Sequence, residues 1–133
     1  MRQYALRQTG LLLRRFSSQV NRIAESDHAD AIHDLRVSIR RLSRCIRVFA
    51  GFYPRNVWKE IREELRGLLH LAGTVRDCDI AMECLEKAGV SSRAVVFREL
   101  RARRREAGQA LLTEARLWRS QSVPRRWRER LEV

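Results

Sequence analysis

Residues 31–49 read AIHDLRVSIRRLSRCIRVF. Leu35, Ile39, Leu42, Ile46 and Phe49 recur at spacings of three and four, the period of an α-helix with one apolar face. On the other side His33, Arg36, Arg40, Arg44 and Arg47 fall within about 80° of arc, at about 100° per residue. That row is about 21 Å long at about 1.5 Å of rise per residue. Such a helix needs a core for its first side and a counter-charge for its second.

The same period extends outward into three more segments. The first, about 2–24, carries Leu6, Leu13, Phe16, Val20 and Ile23 on one stripe, with Arg7, Arg14, Arg15 and Arg22 opposite. The second helix is expected over about 27–50, closed by Gly51 and Tyr53-Pro54, with Glu25, Asp27, Asp30 and Asp34 capping its positive end. The third, about 55–88, turns Trp58, Ile61, Leu65, Leu68, Ala72 and Val75 inward and is expected to kink near Gly73. The fourth, about 92–118, carries Val96, Leu100, Ala107, Leu111 and Trp118. Residues 119–133, with Pro124 at a helix-starting position, read as a short terminal helix or frayed tail. Short links between long amphipathic helices predict an all-α, antiparallel up-and-down four-helix bundle over 1–118.

The composition agrees with one domain of this kind. The 133 residues are 44% hydrophobic, enough for a single core, and 2 Pro and 6 Gly are too few turn formers for a sheet-rich fold. No apolar run approaches a membrane span, and the N-terminal residues have no signal-peptide core, so a cytoplasmic protein is expected. Cys45, Cys78 and Cys84 form no CxxC pair, which argues against a disulfide framework or a zinc site and for small buried side chains in a reducing compartment.

Charge carries the functional signal. There are 26 Arg and 2 Lys against 16 acids, for a net charge of +12. Codon bias explains Arg in place of Lys but not the excess itself, which implies a polyanionic partner. Seven bases and no acid lie between Asp34 and Glu60, so the field concentrates on the second helix. Like charges at i,i+4 cost a few tenths of a kcal/mol per pair, which an extended anion would offset; the bland alternative is a solvated face or ion pairs to neighbouring helices. Arg62, Arg66, His70, Gly73 and Asp77 form a weaker row on the third helix. Arg104 intrudes on the apolar side of the fourth, where it must be paired, line a wet cavity as an anion ligand, or snorkel. Asp77 is expected to hold an arginine of the second helix in place.

Two stretches resemble a known family. His33 to Leu42 (HDLRVSIRRL), continuing to Arg47 and Phe49, is similar to the HxLRVxxRRLRxxLRxF hallmark of the CHAD domain, the conserved histidine α-helical domain. Leu71 to Ile80 (LAGTVRDCDI) resembles its second signature, LGxxRDxDV. The resemblance implies binding of inorganic polyphosphate along a basic groove, without chemistry, and in some members association with polyphosphate granules. By motif position the ligands would be His33, Arg36, Arg40, Arg41 and Arg47, joined by Arg44, Arg66 and Arg104 from the charge pattern; Gly73, Arg76 and Asp77 match the second motif. Ser43 stands where the family usually has a basic residue, and Ala72 replaces a Leu. Family domains usually comprise two four-helix bundles, and this length suffices for one, so either the chain is a fragment or two copies assemble around the ligand as a ligand-assisted homodimer.

Two other functions compete. An HD-type metal phosphohydrolase would use His33 and Asp34 with His28, His70 and Asp77 or Asp79, but arginines crowd that site with like charge. A basic helix would also bind duplex backbones non-specifically, although its row lacks the Asn or Gln that read adenine and an exposed aromatic platform for single strands. No catalytic residue, metal or cofactor is expected, and no Gly-rich phosphate loop or HExxH is present.

Overall fold

The computed structural model describes all residues, Met1–Val133. The chain forms α1 (Arg2–Glu25), α2 (Ala29–Val48), α3 (Arg55–Lys87), α4 (Val95–Ser120) and α5 (Val123–Leu131), with a 3₁₀ turn at Ala50–Phe52 and no strand. α1 packs on α2 and α4, and α3 on the same two helices, so the four close into a bundle around one core. Partner numbers run in opposite senses along α1 and α2. Thr9 meets Cys45 while Arg22 meets Asp34, and Arg62 meets Ser43.

The apolar stripes read from the sequence build that core. Leu13, Phe16 and Ile23 of α1, Leu35, Ile39, Leu42 and Ile46 of α2, and Ile61 and Leu65 of α3 are fully buried. On α4 the inward face is rotated from the expected one. Phe97, Gly108, Leu111, Ala115 and Trp118 are buried, whereas Val96 is 40% exposed. The cysteines divide: Cys78 is buried, Cys45 half-buried and Cys84 exposed.

Helix ends follow local chemistry. Gly89, at φ +80°, ends α3 in a left-handed turn: its N–H bonds the Glu86 carbonyl while Val90 N–H bonds that of Leu85. α3 continues unbroken through Gly73, from Arg55 to Lys87, since a glycine keeps its place in the hydrogen-bond ladder. α2 ends at Val48, and the chain passes through the 3₁₀ turn to Tyr53, whose buried hydroxyl shares a 2.6 Å hydrogen bond with Thr9 and pins this connection to α1.

The terminal segment is a helix seated in the core. Val123, Trp127 and Leu131, at spacings of four, are buried. The Trp127 ring stacks on Phe16 at 5.8 Å with 9° between planes and meets Trp118 edge-on at 5.3 Å. α5 thus belongs to the same core as α1–α4.

α3, at about 50 Å, is longer than α2, at about 30 Å, so the α3–α4 hairpin extends past the α1–α2 turn. Beyond Cys78 it buries little except Phe97, while Ile80, Val95 and Val96 stay exposed. Arg104 marks the junction. Its Nη1 and Nη2 donate to the Asp27 carboxylate and carbonyl, both at 2.7 Å, and its Nε to Asp79 at 3.1 Å. Burial opposes the Arg104 charge, but the bonds to Asp27 and Asp79 outweigh it and raise the pKa. Gly108 leaves room for this clamp, since a Cβ there would strike Asp27 and Arg104.

Candidate functional site

α2 and α3 enclose a strongly basic cleft of about 360 Å³. Arg40, Arg44 and Arg47 line it from α2, and Arg62 and Arg66 from α3, over a floor of Ile39, Leu65 and Leu69. The register follows from the core. Burying Ile39, Leu42 and Ile46 leaves Arg40, Arg44 and Arg47 one or two positions further on, on the flank facing α3. None of the α2 arginines in this cleft has a carboxylate within ion-pairing distance. The only acid engaged with the cleft is Glu63, 3.2 Å from Arg66, and both side chains are largely exposed. Such a pair is screened and yields readily to a multivalent anion.

Ser43 has a role here. Its hydroxyl accepts a 3.4 Å hydrogen bond from Arg62 Nε and holds that guanidinium toward α2. Where the family pattern has a basic side chain, this chain orients one from the next helix. Arg62 is the site residue that the sequence reading left outside its ligand set, although it lay in the weaker α3 row.

The two motifs meet at the next level along α2. Arg36 is half-buried, and its Nε is inaccessible to solvent and has no partner. Burial first, then the charges of Arg40 and Arg76, pulls the Arg36 pKa downward, while Asp77 acts in the opposite sense. An arginine remains a cation under this pressure, so the site carries uncompensated positive charge. Asp77 makes no ion pair with Arg36 or Arg76, and the expected tether to α2 is absent. His33 is exposed at the start of the row. A Cβ on Gly73 would meet no atom within 4 Å, so no backbone of this chain approaches it.

Three expectations change. Arg104 is no free ligand: both edges of its guanidinium are occupied by Asp27 and Asp79, 77 and 25 residues away in sequence. Arg41 lies across the α2 ridge from Arg40, in a separate cleft against α1. Asp30 stands in the first turn of α2, at the positive end of the helix as expected, but no side chain caps α2: the cap position, His28, makes no side-chain bond. Instead Asp27 binds Arg104, Asp34 binds Arg22 and Glu25 binds Arg119, because the bundle brings these cations within reach. The residues proposed for a metal are dispersed, with Asp34 and Asp79 engaged by arginines, and no three His, Cys, Asp or Glu side chains cluster as a metal set.

The family model described as the CHAD domain matches residues 7–132. No curated protein and no solved structure matches the chain.

Proposed function

Because the chain belongs to the CHAD domain family, we propose that it binds inorganic polyphosphate in the α2–α3 cleft. The observation that carries this reading is the set of five arginines on two facing helix flanks, with no buried acid to neutralise them. Polyphosphate is a flexible string of acceptor oxygens, and guanidinium forks bind such oxygens in pairs. Arg40, Arg44, Arg47, Arg62 and Arg66 hold the chain. Arg36 and Arg76 extend the field toward His33, which donates from its imidazole. Gly73 leaves open space beside this row.

The reading is capture without chemistry, by a cytoplasmic protein that associates with polyphosphate granules. No helix is long and apolar enough to cross a membrane. A second copy facing the cleft would enclose the polymer, and the +12 charge on each copy keeps such a dimer apart until the polyanion is present. The same charge predicts some affinity for nucleic acid, whose phosphates are held far apart on a stiff duplex.

Competition separates the two polymers. At about 150 mM salt, long-chain polyphosphate displaces duplex DNA of matched charge far more readily than the reverse. Light scattering of the complex then shows two proteins per bound segment. Equal affinity for both polymers refutes the reading and leaves a basic bundle without preference.

A further inference from the structure

On the opposite flank of α2, α1 and α2 enclose a second cleft of about 340 Å³. Arg15 and Arg41 stand on its two walls, and neither has an ion-pair partner. Its polar lining differs from that of the α2–α3 cleft. Gln19 Oε1 is inaccessible to solvent and receives no hydrogen bond. Asp34 lines the same cleft, engaged on one oxygen by Arg22 at 2.6 Å. Ser38 already donates its hydroxyl hydrogen to the Leu35 carbonyl, so its oxygen is left as an acceptor.

We infer that this cleft is a second anion site, built for a compact phosphate ester that carries hydroxyl groups, of the class of sugar phosphates and nucleotides. Two arginines take the phosphate. The second oxygen of Asp34 and the Ser38 hydroxyl oxygen are acceptors in this lining, and they require donors. Bare polyphosphate has no hydrogen to give at neutral pH: it would leave the Ser38 oxygen without a donor and set its charge against Asp34. A polyol attached to the phosphate supplies the missing donors. The volume lies at the small end of the range for small-molecule sites. This site is independent of the polymer reading, since the α2 ridge separates the two clefts.

The test is calorimetric titration of the full chain with ribose 5-phosphate and with methyl phosphate, which has the same charge and no hydroxyl groups. Ribose 5-phosphate is expected to bind at least about tenfold tighter. Arg15→Ala weakens it by about tenfold, and Ser38→Ala, which removes an acceptor, narrows the preference over methyl phosphate. Arg44→Ala, in the other cleft, leaves it unchanged, and Arg15→Ala leaves polyphosphate affinity unchanged. Arg15 is exposed, so its loss does not threaten folding. Equal binding of the two esters, sensitivity to Arg44 in place of Arg15, or no heat up to about 10 mM ligand each overturns the inference. Loss of polyphosphate binding with the ribose 5-phosphate preference intact overturns only the polymer reading.

Discussion

Arg104 on α4 and Arg44 on α2 carry the same guanidinium, and the bundle surrounds them with opposite company. Arg104 sits where three helices converge, 18% exposed, with Asp27 and Asp79 on either edge. Arg44 lies in the α2–α3 cleft among Arg40, Arg47, Arg62 and Arg66, with no acid opposite. The first is a structural cross-link whose charge is neutralised inside the chain. The second is held in a field that only a partner from outside relieves. What separates a binding arginine from a structural one here is the helix it faces, since α2 contributes no acid after Asp34 and α4 meets those of the α1–α2 turn and of α3.

The comparison predicts opposite signs for stability and binding. Arg104→Ala leaves two carboxylates partly buried and unpaired, and is expected to cost about 3 kcal/mol in urea unfolding, the low end for breaking a buried pair. Its effect on polyphosphate affinity, measured well below the transition, is under twofold. Retained stability would mean that water replaces the clamp. Gly108→Ala attacks the same clamp with no change of charge: its Cβ displaces Asp27 and Arg104, at about 2 kcal/mol by the usual cost of overpacking. Arg44→Ala should behave inversely. Polyphosphate affinity falls about tenfold, while stability rises by a few tenths of a kcal/mol as i,i+4 repulsion is relieved.

The smallest effect concerns an exposed pair. Arg130 Nη2 donates to Glu60 at 2.6 Å, and this bond holds the Glu60 carboxyl below its ordinary value of 4.5. A carboxyl depressed in the folded state contributes stability that is full above its ordinary pKa and is lost as the pH falls through the lower folded value. Thermal unfolding below about pH 4.5 should therefore depend less on pH in Glu60→Gln than in the parent chain. Parallel curves would show that the pair contributes nothing.

The sequence and the structure diverge where partners lie far apart along the chain. The basic row of α2 was legible because it lies on one helix and repeats at helical spacing. The core stripes of α1, α2 and α3 were legible for the same reason. Arg104 was recognisable as an inward charge, but its partners are 77 and 25 residues away, and periodicity carries no such information. The acids at 25–34 looked like caps because capping is local; Asp30 does stand in the first turn of α2, but the fold uses Glu25, Asp27 and Asp34 between helices instead. Arg62 was legible in the α3 row, but its place in the cleft is fixed by Ser43 on α2, 19 residues away. Trp127 was hidden in a run of arginines. Its spacing of four from Val123 and Leu131 was the available signal, and nine residues are too few for a helix to stand without the core that receives it.

The most direct test of the cleft is the salt dependence of polyphosphate binding in two variants of equal net charge. One removes two unpaired arginines, Arg40→Ala with Arg44→Ala. The other removes two paired ones, Arg22→Ala with Arg119→Ala. By analogy with nucleic acid, each lost phosphate contact flattens the slope of log K against log salt by about 0.7 to 0.9. The first variant should flatten it by about 1.4 to 1.8, and the second should leave it unchanged. Equal flattening in both would show that the polymer responds to net charge alone, and the α2–α3 cleft would lose its claim to be the site.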